Sequence, residues 1–239
     1  MSRPHAVAVR APRYGGPRPV QPGESGWPPG LDALGDAAPA RLWVQGQSLT
    51  LTSPVAIVGS RAATAYGEHV AADLASGLAE AGNTVLTGGA YGIDAAATRG
   101  ALAVDGSMVV VVAGGVDVPY PRVHADLFVQ VLRHGSLVSA YEPGTSPTRA
   151  RFVERSHLLA AMSLAVVVVE AASRSGALVT VRRAHELGRP VLAVPGPVTS
   201  MTSQAPHQLI RDGIAHLVTT AQDVLDVLAT TPEGESAHV

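Results

Sequence analysis

Short apolar runs rich in β-branched residues alternate with longer amphipathic stretches from Pro54 onward, and this alternation restricts the possible folds more than any other feature. Continuously apolar runs of strand length are typical of parallel strands that are covered on both faces. The pattern predicts an α/β fold, with a doubly wound, mostly parallel sheet and helices on both faces, in a single domain. The predicted strands are Val55–Val58, Thr84–Thr87, Met108–Val112, Ser136–Ala140, Leu164–Val169 and Pro190–Val194.

The stretches between the predicted strands have the spacing of helices that bury one face. In the first stretch Val70, Leu74 and Leu78 recur every four residues, and a glycine follows as a stop signal. The predicted helices are Tyr66–Ala81, Asp94–Val104, His124–Arg133, Arg151–Ala161 and Gly176–Leu187. The end of the chain is predicted to form a short helix, a strand and a closing helix at Gln208–Asp212, Ile214–Val218 and Ala221–Leu228.

The two ends of the chain differ in composition from its middle. Residues 1–23 carry four Arg and no acidic residue, together with several Pro and Gly, and we predict a disordered basic arm. Residues 24–50 are rich in Pro and Gly, and we predict an irregular lead-in that packs on the core. The α/β domain is predicted at residues 51–230, and residues 231–239 are predicted to be a frayed tail.

The composition excludes several kinds of chemistry. None of the 239 residues is Cys, which excludes disulfides, thiolate metal sites and thiol nucleophiles and fits a reducing cytoplasm. All 17 basic residues are Arg, which excludes a P-loop lysine and a Schiff base. No apolar run approaches the ~20 residues that span a bilayer. We therefore expect a cytoplasmic protein without a membrane segment.

The net charge of −2 conceals a basic segment at residues 149–189, where seven Arg stand against three Glu. Arginines gathered at the edge of a sheet could line a groove for a phosphate backbone. We interpret Arg155 and Arg174 in this way. The other arginines late in the segment are predicted to lie on a solvated helix face and to pair with Glu186. They are Arg182, Arg183 and Arg189.

Three turns that follow predicted strands have the composition of anion-binding loops, at the sheet edge where ligands bind in such folds. Small residues before a helix expose backbone N–H groups at its positive end, and an arginine can add a bidentate grip on a phosphate. The turns are Gly59-Ser60-Arg61, the loop from Gly88 to Asp94 that contains Tyr91 and Gly92, and Ser173-Arg174-Ser175-Gly176. We expect these turns to converge on one edge of the sheet.

Known cofactor and catalytic motifs are missing from the sequence. Neither of the first two turns is GxGxxG, so we expect no nicotinamide cofactor and assign no other. The nine His show no metal-ligand spacing, no metal is assigned, and there is no GxSxG elbow. Glu170, after the fifth predicted strand, is the one carboxylate placed for a general base or a ribose ligand, and it could equally cap the backbone N–H groups of the next loop.

A series of short motifs gives the chain a recognisable order. They are Val55-Ala-Ile-Val-Gly-Ser-Arg61, Gly92-Ile-Asp-Ala-Ala-Ala97, Arg99-Gly-Ala-Leu102, Tyr120-Pro121, Val168-Val-Glu-Ala171, Ser175-Gly-Ala-Leu178, Ala193-Val-Pro-Gly196 and Leu209-Ile-Arg-Asp-Gly213. In order and spacing these motifs resemble the DNA-processing protein A family, also called DprA or Smf. The resemblance covers about residues 27–228.

The resemblance implies a Rossmann-like domain that binds single-stranded DNA without catalysis and forms a homodimer. It also implies that the protein protects incoming DNA and hands the strand to the RecA recombinase during natural transformation. In that family the turn arginine and basic residues before the fifth strand line the DNA pocket, and these roles fall here on Ser60, Arg61 and Arg155. Tyr91 and Phe152 could stack on bases. The predicted DNA-binding residues are Gly59, Ser60, Arg61, Tyr91, Gly92, Arg151, Phe152, Arg155, Arg174, Ser175 and Gly176.

Two other functions remain open. A nucleotide sensor or a nucleoside-monophosphate phosphoribohydrolase, as in the related LOG-type proteins, would use Glu170 as its base, although the Pro-Gly-Gly-x-Gly-Thr-x-x-Glu motif of that group is absent from the sequence. An interaction module would form a dimer or a partner complex and would not bind nucleic acid. Because a turn does not require an arginine, we expect Arg61→Ala to weaken DNA binding and to leave the fold intact.

Overall fold

The computed structural model of the protein describes residues 15–230. Its strands are β1 (Arg18–Val20), β2 (Leu42–Gly46), β3 (Val55–Val58), β4 (Val85–Thr87), β5 (Met108–Val111), β6 (Ser136–Ser139), β7 (Ala165–Val168), β8 (Val191–Ala193) and β9 (Ala215–Leu217). Its α-helices are α1 (Ala65–Glu80), α2 (Ile93–Ala103), α3 (Ala125–His134), α4 (Arg149–Met162), α5 (Ala177–Glu186), α6 (Gln204–Arg211) and α7 (Ala221–Ala229). The segments Pro29–Ala37, Arg122–His124 and Met201–Ser203 are 3-10 helices.

The strands form one sheet in the order β1-β2-β6-β5-β4-β3-β7-β8-β9. Strands β3 to β9 are parallel, whereas β1 and β2 pair antiparallel at one edge. The chain adds β4, β5 and β6 on one side of β3 and then returns to add β7, β8 and β9 on the other side. The predicted fold class, a doubly wound and mostly parallel α/β sheet, is confirmed. The reversal creates a topological switch point between β3 and β7.

Side chains of the sheet alternate between two apolar layers. In β3, Val55 and Ile57 belong to the layer formed with α1, α2, α3 and α7. The alternate residues Ala56 and Val58 belong to the layer formed with α4, α5, α6 and the Pro29–Ala37 segment. All residues of β3 to β8 are buried, which explains why their sequences are continuously apolar or nearly so.

Threonine caps fix the starts of two helices that border the switch point. The Oγ1 of Thr64 accepts the N–H of Gly67 at 3.2 Å before α1. The Oγ1 of Thr148 accepts the N–H of Arg151 at 3.4 Å, and α4 therefore begins at Arg149, two residues before the predicted start.

The N-terminal region is more ordered than the sequence predicts. Residues 18–20, assigned to a disordered arm, form β1, and the Arg18 guanidinium donates to the carbonyl oxygens of Gly46 (3.3 Å) and Gln47 (2.7 Å). The predicted irregular lead-in contains a 3-10 helix and the strand β2. Three-residue strands carry almost no periodic signal, and Pro19 is tolerated because β1 is an edge strand. The first part of the predicted arm and the predicted tail lie outside the described residues.

Candidate functional site

A cleft of about 850 Å³ opens at the switch point, at the carboxyl ends of β3 and β7. The turn after β3, the turn before α5 and one face of α4 line the cleft. Its charged lining residues are Arg61, Arg149, Arg155, Arg174 and Asp94. Four guanidinium groups against one carboxylate make the cleft electropositive, so it is suited to an anionic ligand.

The turn after β3 is held by backbone contacts. The N–H of Ser60 donates to the Glu170 carbonyl at 2.6 Å, and the Ser60 carbonyl accepts the N–H of Ile93 at 3.2 Å. Gly92 has a φ of 67°, and a Cβ on it would lie 2.3 Å from the Ser60 carbonyl oxygen. Gly92 therefore lets the loop from Gly88 to Asp94 approach the turn after β3 closely, and this contact holds the turn in place. Gly92 itself lies outside the cleft lining, whereas Gly59, Ser60 and the exposed Arg61 line the cleft.

Helix α4 presents a single face to the cleft. The lining residues Arg149, Phe152, Val153 and Ser156 recur at the three- and four-residue spacing of one helix face. Arg151 lies elsewhere on the helix, since its Nη1 donates to the Ser146 carbonyl at 2.6 Å and its Cζ lies 4.9 Å from the Tyr141 ring centroid. The structure thus brings Arg149, and not Arg151, to the cleft.

A buried ion pair borders the cleft between α4 and the first turn of α2. The side chains of Arg155 and Asp94 are each 8% exposed, and Arg155 Nη1 lies 3.9 Å from Asp94 Oδ2. The same Oδ2 accepts the N–H groups of Gly88 at 3.0 Å and Ala90 at 3.2 Å. The buried Nε and Nη1 of Arg155 have no hydrogen-bond partner within the described chain. Arg155 thus keeps hydrogen-bonding capacity that its protein neighbours do not use.

Burial changes the proton affinities of this pair. It raises the pKa of the Asp94 carboxyl above its ordinary value, while the Arg155 guanidinium and the two N–H donors oppose the rise. Burial also lowers the pKa of Arg155, against the attraction of Asp94, and the positive charge of Arg61 adds to the lowering. A Cβ on Gly88 would lie 1.3 Å from Arg155 Nη1, so this glycine makes room for the guanidinium.

The turn before α5 forms the third wall of the cleft. Arg174, Ser175 and Gly176 all line it, and Arg174 is exposed. Ser175 is held by the helix that follows, because its Oγ accepts the N–H of Ala177 at 3.3 Å and its carbonyl accepts the N–H of Leu178 at 3.2 Å. The turn therefore presents the amino end of α5 and the exposed side chain of Arg174 to the same space as Arg61.

Aromatic rings lie at the edge of the cleft. Tyr120 is 47% exposed, lines the cleft and lies 5.5 Å from the Phe152 ring, centroid to centroid. Tyr91 is equally exposed but lies outside the lining residues, with its ring 5.1 Å from that of the buried His124. Nδ1 of His124 lies 3.2 Å from the Gly89 carbonyl oxygen, which fixes the ring that supports Tyr91.

Glu170 has a structural role. Its Oε2 accepts the N–H of Thr64 at 2.9 Å, and its Oε1 accepts the hydroxyls of Thr64 at 2.6 Å and Thr202 at 3.0 Å. Glu170 is buried and is not among the residues that line the cleft. The contacts give Glu170 a capping role, but the N–H that it accepts belongs to Thr64 before α1 and not to the loop that follows Glu170, and the general-base role is left without support.

The lining residues that are not among the predicted DNA-binding residues include two charged residues, Arg149 and Asp94, and one aromatic residue, Tyr120. Arg149 follows from the Thr148 cap, because a helix that begins there places positions 149, 152, 153 and 156 on one face. Tyr120 belongs to a motif that was noted but not assigned to the site. For the pairing of Asp94 with Arg155 the local sequence offers no signal.

No three His, Asp or Glu side chains among residues 15–230 lie close enough together to hold a metal ion. None of the helices in the same range combines the length and the apolar character needed to cross a bilayer. The predicted solvated face of α5 contains an ion pair, since Arg183 Nη1 lies 3.1 Å from Glu186 Oε2.

The fold and the cleft together define a Rossmann-like α/β protein with an electropositive cleft at its switch point. The sequence model of the DNA recombination-mediator protein A family matches residues 18–229. The chain therefore belongs to this family, and the resemblance noted in the sequence is confirmed.

Individual relatives agree with this assignment. The chain is 49% identical over 227 residues to the putative DNA processing protein DprA of Mycobacterium tuberculosis, covering 90% of this chain and 58% of that protein. It is 41% identical over 204 residues to protein Smf of Escherichia coli, covering 84% of this chain and 54% of that protein. The chain thus spans little more than half the length of these relatives.

Two solved structures share the fold. DprA from Streptococcus pneumoniae superposes with a TM-score of 0.82 and 36% identity, covering 87% of this chain and 73% of that chain. DprA from Helicobacter pylori superposes with a TM-score of 0.80 and 26% identity, covering 89% of this chain and 95% of that chain. The Helicobacter structure is described as giving insight into that protein's unique single-stranded DNA binding mode.

Proposed function

We propose that the cleft binds single-stranded DNA through its phosphate backbone. The observation that carries this proposal is the charge of the lining, in which four arginines from three separate chain segments face one space with one aspartate. Guanidinium groups bind phosphate oxygens as bidentate donors, and such contacts hold a strand without reading its sequence. The single-stranded DNA binding described for the Helicobacter pylori relative supports the choice of ligand.

The aromatic edge of the cleft supports a single strand as the ligand. Unpaired bases expose their ring faces, and aromatic side chains bind such faces with little sequence preference. Tyr120 offers an exposed ring beside the arginines, and Tyr91 offers a second ring farther along the same sheet edge. In a duplex the bases are stacked inside and cannot use these rings.

For the protein as a whole we propose a role in DNA processing without a catalytic step. The protein would protect incoming single-stranded DNA and transfer it to the RecA recombinase in natural transformation. Membership of the recombination-mediator family and the DNA-processing names of the relatives support this role. The protein would carry out this role in the cytoplasm.

We also propose that the chain forms a homodimer. Strand β9 is the last strand of the sheet on its side, next to β8, and Leu217 on β9 is 54% exposed. An open strand edge with an exposed apolar side chain favours pairing with a second copy. Sedimentation velocity should show a dimer at micromolar concentration, and Leu217→Arg should shift it to a monomer.

The DNA proposal is tested with Arg61→Ala, using fluorescence anisotropy of a labelled oligo-dT strand. We expect the dissociation constant to rise about tenfold, because a turn arginine that faces the cleft supplies a charge-assisted phosphate contact. Arg182→Ala is the matched control, since Arg182 belongs to the same basic segment as Arg174 but lies outside the cleft lining. Equal affinity of the Arg61→Ala variant and the wild type would refute the site.

A further inference from the structure

We infer that Phe152 is a positioning residue that holds the phosphate-binding arginines in place, and that bases of the strand do not stack on it. The inference rests on the proposed function and assigns a different role to Phe152 from the stacking role suggested by the sequence. Its basis is the set of groups that already surround the Phe152 ring.

Two guanidinium groups converge on this one ring. The Cζ of Arg61 lies 5.1 Å from the ring centroid, and the Cζ of Arg155 lies 5.8 Å from it. Both distances fall within the range of cation–π attraction, which is about 6 Å. The Tyr120 ring is a third neighbour, with its centroid 5.5 Å away. A base that stacked on Phe152 would compete with these three groups.

Arg61 depends on this ring more than Arg155 does. Arg155 is buried against Asp94 and the Gly88 backbone, and its position is fixed by the surrounding chain. Arg61 is exposed, and within residues 15–230 neither a hydrogen bond nor an ion pair holds its guanidinium. The Phe152 ring is the group that the structure places against it. A held arginine loses less side-chain freedom when it binds a phosphate than a free one does.

The two guanidiniums also repel each other, since Arg61 contributes to lowering the pKa of Arg155. The negative face of an aromatic ring attracts both groups and offsets this repulsion until a phosphate arrives. Phe152 therefore keeps Arg61 close enough to the fixed Arg155 for both charges to act on the same stretch of backbone. The accessible ring for a base is then Tyr120, which is 47% exposed.

The test is a double-mutant cycle between Phe152 and Arg61, measured with oligo-dT and with an abasic deoxyribose-phosphate strand of equal length. We expect Phe152→Leu to raise the dissociation constant about fivefold on both strands, and to change it less than twofold when Arg61 is already Ala. Phe152→Tyr should restore wild-type affinity, because it keeps the ring. A loss caused by Phe152→Leu on oligo-dT alone, or one that persists unchanged in the Arg61→Ala background, would overturn the inference.

A second readout is independent of DNA. In the free protein, the NMR order parameter of the Arg61 Nε–H bond should fall in Phe152→Leu to the value of the exposed Arg182, and Phe152→Met should behave alike if the leucine variant does not fold. Equal order parameters in wild type and variants would overturn the inference even if the wild type binds DNA. If the wild type binds no DNA but Arg61 becomes mobile in the variants, the proposed function fails and the positioning role stands.

Discussion

Two buried carboxylates stand at the same edge of the sheet, one on each side of the switch point, and their surroundings differ. Glu170, after β7, accepts hydrogen bonds from the Thr64 N–H and from the hydroxyls of Thr64 and Thr202. Asp94, after β4, accepts two backbone N–H groups and faces the Arg155 guanidinium at 3.9 Å. Only Asp94 lines the cleft.

The difference shows how burial alone fails to identify a functional group. Glu170 connects its own loop to the loops of Thr64 and Thr202, and the donors to its carboxylate are uncharged groups of the protein itself. Asp94 belongs to a pair in which the arginine still has buried N–H groups without a partner. Buried N–H donors without a partner in an electropositive cleft indicate a binding site. A buried carboxylate whose oxygens both accept hydrogen bonds from the protein indicates a structural role.

Removing the structural carboxylate should have the largest effect on stability. Glu170→Ala leaves the donors of Thr64 and Thr202 without their acceptor, so we expect the free energy of unfolding to fall by about 3 kcal/mol. Urea denaturation measures this change, with Glu80→Ala as the control, because Glu80 is an exposed glutamate at the end of α1, the helix whose start Glu170 holds. The folded variant should bind oligo-dT within about twofold of wild type. A large loss of affinity at unchanged stability would place Glu170 in the binding site.

Two glycines, one beside Glu170 and one beside Arg155, allow the structural role of Glu170 to be tested separately from the binding role of Arg155. A Cβ at Gly67 would lie 2.3 Å from Glu170 Oε2, and one at Gly88 would lie 1.3 Å from Arg155 Nη1. We expect Gly67→Ala to lower the free energy of unfolding by about 2 kcal/mol and to leave DNA affinity unchanged. Gly88→Ala should displace Arg155 and raise the dissociation constant for oligo-dT about tenfold.

The matched control for both glycines is Gly16→Ala, because a Cβ there would meet no atom within 4 Å and Gly16 lies outside the cleft lining. This variant should retain both stability and affinity. If Gly88→Ala bound DNA with wild-type affinity, Arg155 would not belong to the binding site. The Asp94–Arg155 pair would then have a structural role only, as Glu170 does.

The smallest expected effect is the pH dependence of stability that Asp94 causes. Burial raises the pKa of Asp94 in the folded chain above the ordinary value of 3.8 that it has in the unfolded chain. At a pH between the unfolded and the folded pKa, the folded chain therefore holds a proton that the unfolded chain has lost. The free energy of unfolding therefore falls as pH rises through this window. Urea denaturation at rising pH from about pH 4 should show a steeper fall in the wild type than in Asp94→Asn, in which the other titrating groups remain. If the contribution of Asp94 to the free energy of unfolding instead increased with pH, the attraction of Arg155 would lower the pKa of Asp94 by more than burial raises it.

The sheet and its binding edge could be predicted from local sequence. Parallel strands covered on both faces are continuously apolar, so β3 to β8 were located to within one or two residues. The turn around Arg61 was identified because small residues before a helix carry a recognisable anion-binding pattern. Strand β1 was missed because three residues are too few to show a period.

The composition of the cleft was harder to predict because it depends on helix phase and on contacts between distant residues. The predicted start of α4 is two residues late, and the predicted site contains Arg151, which lies away from the cleft, and not Arg149. The role of Glu170 stayed open because one of its partners, Thr202, lies 32 residues farther along the chain. The pairing of Asp94 with Arg155 joins α2 to α4 and has no local signature.

The most direct test of the phosphate-binding cleft is the salt dependence of oligo-dT binding by the wild-type chain, with a duplex of equal length as control. Each neutralised phosphate of a single strand contributes about −0.7 to the slope of log affinity against log salt, so four arginines predict a slope of about −2 to −3. We expect this slope for oligo-dT and much weaker binding of the duplex. A flat salt dependence, or equal binding of duplex and single strand, would contradict the assignment of the cleft.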